Sequence, residues 1–422
     1  MAGKDETFEG HVPFYQRPNV QVEVIPVGGG VPFGFERVSH PELGIGGAYG
    51  TWGESYDNKM LPDLIERTIG RPMNDEDKLD LSPLGFDYRH HIKTLTDEEN
   101  LEVEIAVGAR MLREAAKACG WEPAEVDAVM IGMTGPVSPD YTERIARAAG
   151  VPEEALKVSV HKACDSSTAA MHLALNPELV VDGETGENLA AELIGKKVLV
   201  GGIEGLSRYI IQSRDLNAMQ LFGNGAGVIG LIPGKSMNFI VGKTHEVFDE
   251  KGVLAVHMYY PHSRHPVEGH SRVEITREGK HHIRVAGMMH EPESNAPVEM
   301  TGQMGMVKLF VRNGVEVVND VYNAYRKRLE ELGMPNKSIV TTIVHHANLK
   351  INTLKAAQLQ KIGVTLSMPW LLSEFGNVSA ASNMIAFLRN LPSLKPGDHI
   401  LFDGFGAGTY YDVFAVALGN KL

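Results

Sequence analysis

Residues Lys162–Leu175 read KACDSSTAAMHLAL, and they contain one of only two cysteines in a chain of 422 residues. The run after Cys164 is rich in Ser, Thr and Ala, and its pattern predicts a helix. A thiol at the start of a helix meets the positive end of the helix and its unpaired N–H groups, which favour thiolate and predict a lowered pKa. That would make Cys164 a nucleophile. Ser166, Ser167, Ala169 and Ala170 are small enough for the helix to be buried at the centre of the molecule against another element. The other cysteine, Cys119, ends an amphipathic helix just before Gly120 and reads as a structural thiol.

Working outward, the segment leading to Cys164 has a counterpart. VDAVMIGMTGPVSPDYTERIARAAGV (126–151) aligns without a gap with IVTTIVHHANLKINTLKAAQLQKIGV (339–364) when shifted by 213 positions. The same shift places Gly132 on His345, Cys164 on Asn377, Ser166 on Ser379 and Met171 on Met384. An apolar run ending in glycines follows each, KVLVGGIEG in the first half and HILFDGFGAG in the second. AVMIGM, TTIVHH, KVLVGG and HILFDG are short continuous apolar runs, as strands buried on both faces would be. NLEVEIAVGARMLREAAKACG predicts a helix that opens on a capping box, Thr96 with Glu99, and stops at Gly120. Strands alternating with helices predict a layered α/β fold, and its repetition predicts two similar halves with a site between them, ordered strand, helix, strand, helix, strand.

Four segments follow: an N-terminal extension (1–45), a first half carrying the cysteine (46–235), a histidine-rich insertion (236–300) and a second half carrying His345 and Asn377 (301–422). The insertion holds eight of the seventeen histidines, seven of them from His257 to His290, at spacings that match no compact metal-ligand motif. A hairpin around VEITREGKHHIRV is expected there instead, and no metal. With 43% hydrophobic and 22% charged residues the composition is that of a globular protein. The net charge of −13 is spread along the chain, leaving no basic block for nucleic acid or a membrane surface. No apolar run reaches the roughly 18 residues of a membrane span, and MAGKDETFEGHVPFYQRP lacks a signal-peptide core, so a cytoplasmic protein is expected. Two cysteines make neither a disulfide framework nor a CxxC site.

His345 and Asn377, at matching strand and helix ends of the second half, could both hydrogen-bond a thioester oxygen as it gains charge. At this point the chain resembles the thiolase-fold condensing enzymes, and among them the ketoacyl-acyl-carrier-protein synthase III group. KAC resembles the family's nucleophile motif, FGNGAGVIGL from Phe222 its FGDGA stretch, HHANLKI its HQANxRI, GNVSAAS its GNTSAAS and GDHILFDGFGAGTYY its closing segment. The resemblance runs from Gly44 to the C-terminus, with 236–300 poorly matched.

The resemblance implies a duplicated, layered α-β-α-β-α thiolase fold and a catalytic Cys164, His345 and Asn377. It also implies an oxyanion hole from the N–H groups of Cys164 and Gly408. The substrates would be thioesters of coenzyme A or an acyl carrier protein, joined by decarboxylative Claisen condensation without metal or redox cofactor. Within HHANLKI, Asn348 and Lys350 become substrate-binding candidates. The implied assembly is a homodimer sharing an extended central sheet, with Pro139 and Tyr141 as pocket candidates near a partner. The chain departs from the pattern at Asp165 and Ser166 after the cysteine, at His346, at Lys350 where Arg often meets donor phosphates, and at Asn224. A hydroxymethylglutaryl-CoA synthase-like condensation would need a carboxylate near Thr134, and IGMTGP contains none. Cys, His and Asn alone do not exclude acyl transfer from Cys164 to an alcohol or amine. A non-catalytic partner of the same fold would be expected to have lost the cysteine or the His and Asn pair, and this chain keeps all three.

Overall fold

The computed structural model describes residues 12–17, 22–92, 95–134, 138, 140–182, 187–207, 216–246, 274–286, 302–407 and 410–419. Each apolar run singled out above forms a strand. Ala128–Gly132 is β6, Val198–Glu204 β10, Ile339–Val344 β15 and His399–Gly406 β16, and β6, β10 and β16 are buried at every position. Two sheets hold them. The first has nine strands in the order β1-β2-β3-β11-β10-β6-β7-β14-β13. Its other members are β1 (Glu23–Val27), β2 (Val31–His40), β3 (Ile45–Trp52), β7 (Leu156–His161), β11 (Gly225–Leu231), β13 (Glu274–Arg277) and β14 (His282–Ala286). The second sheet is β12-β17-β16-β15, with β12 at Met237–Glu246 and β17 at Tyr410–Leu418. Two ribbons stand apart, β4 (Glu54–Asp57) with β5 (Tyr88–His91), and β8 (Val180–Asp182) with β9 (Glu187–Asn188).

The duplication is legible in the pairing. β3-β11-β10-β6 runs antiparallel, antiparallel, parallel. β12-β17-β16-β15 repeats that sequence of pairings. The predicted order fails at one point. β7 follows its helix in the first half, but its counterpart 369–374 forms no strand. Pro369 has no N–H to give a ladder. Next to it Trp370 is anchored elsewhere, its indole N–H donating to Gly85 O at 2.7 Å and its ring packing on His346.

Among the helices, α1 (Leu61–Ile69) packs on the short helix Leu216–Leu221, whereas α2 (Asp97–Ala118) and α3 (Tyr141–Ala149) cover the outer face of the first sheet. The α2 capping box forms in both directions: Glu99 N–H donates to Thr96 Oγ1 at 3.2 Å, and Thr96 N–H to Glu99 Oε2 at 2.8 Å. α4 (Ser166–Leu175) is buried at every residue and touches strands of both sheets, as does the helix Ser382–Asn390. Helices Gly302–Glu331 and Leu349–Lys361 cover the far side. This is the α-β-α-β-α layering of the thiolase fold, and the site lies where its two central helices begin.

The structure redraws the outlying segments. Residues 23–40, expected in an extension, add two strands to the first sheet. Residues 237–246, expected at the start of the insertion, form the edge strand β12 of the second sheet. The hairpin expected around VEITREGKHHIRV is present as β13 and β14, and β14 pairs in parallel with β7, His282 to Ala286 against Lys157 to His161. The outer edge of β7 is therefore occupied within the chain. A second subunit could extend the sheet at β7 only if this hairpin left it.

Candidate active site

Cys164 sits in the tight turn between β7 and α4. The turn is set by Ala163, which has a left-handed φ of 50°, and its counterpart in the other half, Gly376 before Asn377, has φ 79°. The two candidate residues are thus presented by the same backbone device. Ser166 Oγ accepts the Lys162 N–H at 2.7 Å and lies 2.6 Å from Ala163 O, bracing the turn. Gly406 at the end of β16 allows close approach, since a Cβ there would stand 2.9 Å from Cys164 N and 2.8 Å from Asp165 N.

The thiol is 7% exposed. Ser379 Oγ lies 3.1 Å from its Sγ, and the Ala407 backbone N–H also favours its thiolate. The expected lowering of its pKa does not occur. Burial pushes the thiol up to about 12, and the charges of Glu204 and Asp165 add to that against the Ser379 and Ala407 hydrogen bonds. The resting site therefore holds a neutral thiol. Asp165 does not aim its carboxylate at an open cleft. It packs on Gly404 of β16, where a Cβ would be 2.2 Å from its Oδ1, and its Oδ2 is 3.6 Å from Lys162 Nζ. Burial and the neighbouring Asp412 raise its pKa well above the usual carboxylate range. Lys162 is paired with Asp412, which also accepts from His172 Nδ1 at 2.6 Å and from Thr244 Oγ1 at 2.9 Å. Asp165, its pKa raised, and Asp412 so share a buried lysine beneath the nucleophile.

His345, at the end of β15, is 1% exposed, with its Nδ1 2.5 Å from Ser382 Oγ and its ring edge-on to Phe405. Burial, with His346 and Lys355 nearby, lowers its pKa to about 3, so the imidazole is neutral. Behind it Lys355 Nζ lies 2.7 and 2.6 Å from the two carboxylate oxygens of Asp403, whose carbonyl accepts the His345 N–H at 3.0 Å. Asn377 uses Oδ1 to accept the Ser379 N–H at 2.9 Å and one Nδ2 hydrogen to reach Ala347 O at 3.3 Å. The second hydrogen remains for a substrate oxygen.

Hydrogen bonds link Cys164 to Asn377 through Ser379. Ser379 touches both Cys164 and Asn377, and Asn377 reaches the residue two beyond His345.

The remaining candidates fall differently. Asn348 caps the helix Leu349–Lys361, accepting the Ile351 N–H at 3.0 Å, and Lys350 is exposed on its first turn. Tyr141 is buried in the first-half core, donating to Glu104 Oε2 at 2.9 Å. Pro139 and Gly408 lie outside the described residues. Asn224 is structural: its Oδ1 accepts from Ser207 N and Oγ, both at 2.9 Å, and its Nδ2 donates to Trp52 O. His346 is fixed by Leu371 N–H at its Nε2, 3.0 Å.

Two residues of the site do not stand out in the sequence. Ser379 figures there as the counterpart of Ser166 and within GNVSAAS, and Glu204 only inside the run KVLVGGIEG. Glu204 ends β10, wholly buried, and accepts from Thr134 Oγ1, so the acid absent from IGMTGP arrives from another strand. The signal that could have found it is an acid inside the apolar run VLVGGIEG.

A cysteine from one copy of an α/β unit and a histidine and an asparagine from the other sit at matching strand and turn ends of a thiolase fold. Residues 329–418 match the family model of the 3-oxoacyl-[acyl-carrier-protein] synthase III C-terminal domain. The chain is 24% identical over 338 residues to beta-ketoacyl-[acyl-carrier-protein] synthase III 1 of Halalkalibacterium halodurans, covering 80% of this chain and 88% of that one. It is 25% identical over 344 residues to the Clostridium tetani synthase III, covering 78% and 90%. The crystal structure of 3-oxoacyl-[acyl-carrier-protein] synthase III from Aquifex aeolicus superposes with a TM-score of 0.55 at 19% identity, covering 94% and 99%. The chain has the thiolase fold, and it is similar to the ketoacyl synthases III.

Proposed function

We propose that this enzyme forms a carbon–carbon bond by decarboxylative Claisen condensation of a Cys164-bound acyl group with a malonyl-type thioester. The observation that carries this reading is the hydrogen-bonded continuity from Cys164 through Ser379 to Asn377 and the His345 strand end. It joins a covalent acyl site to a pair of neutral donors, the two functions that a two-stage condensation separates.

In the first stage the Cys164 sulfur attacks an acyl thioester carbonyl, and the coenzyme A or carrier-protein thiol leaves. In the second stage the malonyl-type thioester places its carbonyl oxygen between Asn377 Nδ2 and His345 Nε2. Nε2 carries a hydrogen when Ser382 donates to Nδ1, which the 2.5 Å contact accommodates. Loss of CO₂ leaves an enolate stabilised by these two donors, and its carbon attacks the acyl-cysteine to release a β-ketoacyl thioester. The low pKa of His345 keeps it a neutral imidazole, whose single N–H falls on Nε2 when Nδ1 accepts from Ser382.

Intact-protein mass spectrometry after incubation with a panel of acyl-CoAs tests the reading. An adduct that is absent in Cys164→Ala and is discharged by malonyl-CoA with a β-ketoacyl product supports it. An adduct that malonyl-CoA leaves in place replaces condensation with acyl transfer to another acceptor.

A further inference from the structure

Cys164 Sγ, Ser379 Oγ, Thr134 Oγ1 and Glu204 Oε1 form one unbroken buried chain. Ser379 contacts the sulfur at 3.1 Å, Thr134 contacts Ser379, and Thr134 contacts Glu204. Thr134, Ser379 and Glu204 are fully buried, and the Ala380 N–H supports the same Glu204 oxygen at 3.2 Å. The chain has three links, and each link needs one hydrogen. The two hydroxyls supply two. The third must come from an end, and with one proton shared between the two ends, two arrangements satisfy every link. In one, the thiol donates to Ser379, Ser379 to Thr134, and Thr134 to a Glu204 carboxylate. In the other, a protonated Glu204 donates to Thr134, Thr134 to Ser379, and Ser379 to a Cys164 thiolate.

We infer that this chain is a proton wire which activates Cys164 by moving its thiol proton to Glu204. The S–H bond breaks as the proton passes to Ser379 Oγ, Ser379 passes its own hydrogen to Thr134, and Thr134 passes its hydrogen to Glu204 Oε1. Thiol and carboxylate become thiolate and carboxylic acid, with no change of net charge and no outside base. Glu204 touches neither substrate nor sulfur, so it is a positioning residue for the proton. The inference rests on Cys164 being the nucleophile of the proposed condensation.

The test is the rate of Cys164 alkylation by iodoacetamide, read on the Cys164 peptide by mass spectrometry from about pH 5 to about pH 9, with no acyl substrate. Internal transfer yields a fixed fraction of thiolate, so the native protein should show a pH-independent rate on the acid side. Glu204→Gln and Thr134→Val should lose that plateau, the rate falling about tenfold per pH unit, and Thr134→Ser should keep it. A purely electrostatic Glu204 gives the opposite sign: its charge disfavours the thiolate, so Glu204→Gln would speed alkylation and Thr134→Val would change nothing. No plateau in the native protein, or a plateau surviving in Thr134→Val, overturns the wire. Should Glu204→Gln fail to fold, the Thr134 pair decides, because both variants keep the carboxylate. A protein that shows the plateau but takes no acyl group keeps the wire and loses the proposed function.

Discussion

Ser167 donates its hydroxyl hydrogen to the carbonyl of Ala380, which lies 213 positions later and is its own counterpart in the duplicated unit. The pseudo-symmetry axis therefore passes close to this bond, and α4 meets the 379–381 turn head-on. Glycines allow it. A Cβ on Gly132 would come within 2.3 Å of Ser167 N, and one on Gly202 within 2.5 Å of Ala380 O. The nucleophile turn and the Asn377 turn are held by strands of the first sheet that carry no side chain at the point of contact.

Gly406→Ala should be a severe catalytic variant of a folded protein. Its Cβ would press on the backbone N of Cys164 and Asp165, and no flexible side-chain tip is available to yield. A displacement of the nucleophile by about 1 Å should cut the acylation rate about 100-fold. Rapid-quench measurement of acyl-enzyme formation, beside an unchanged unfolding midpoint, checks it.

His345→Ala and Asn377→Ala should separate the two stages. Neither residue's side chain bonds Sγ, so acylation by acyl-CoA should persist, whereas discharge by malonyl-CoA should fall about 100- to 1,000-fold for each lost donor. Equal loss of both stages would assign these residues to activation of the thiol.

The buried charges below Cys164 should respond oppositely to substitution. Lys162→Met leaves the buried Asp412 ionised with only His172 and Thr244 beside it, and should destabilise by about 3–5 kcal/mol. Asp165→Asn removes a carboxyl whose folded pKa is raised. Between its ordinary pKa and the raised one, only the folded state holds that proton, so Asp165 costs stability as pH rises through that window. Asp165→Asn should therefore stabilise at neutral pH, with the gain fading below about pH 4. Urea unfolding at several pH values measures both.

Acid should destabilise the fold well before its carboxylates titrate. His90, His91 and His345 are each held at about 3 by burial, with nearby positive groups adding to it for His91 and His345. Unfolded, they bind protons below about 6.5, so stability should fall as pH drops from there, with a slope approaching three protons. For the same reason, kcat/KM should show no histidine inflection near that value from His345.

What the sequence made legible was the part written in local pattern. Continuous apolar runs marked β6, β10, β15 and β16, and the 213-residue shift paired Cys164 with Asn377 through turns that prove alike at Ala163 and Gly376. What it concealed depends on packing. A helix start at Cys164 suggested an acidic thiol, but the depth of burial between two sheets sets its ionisation. Pro369 and Trp370 occupy the place of an expected strand because Trp370 is anchored to Gly85, a residue far away in the chain. Glu204 meets Thr134 across 70 residues, and only the parallel pairing of β10 with β6 brings them together.

The β13–β14 hairpin bears on how the chain survives its own synthesis. β7 carries the turn to the nucleophile, and an open ladder along it would be a template for strands of other, incompletely folded copies. By laying β14 along that ladder, the chain supplies its own blocking strand from more than a hundred residues downstream. Protection then arrives late, and until the hairpin docks the newly made first half exposes an adhesive edge. Refolding yield should accordingly depend on protein concentration most strongly in the interval before that docking.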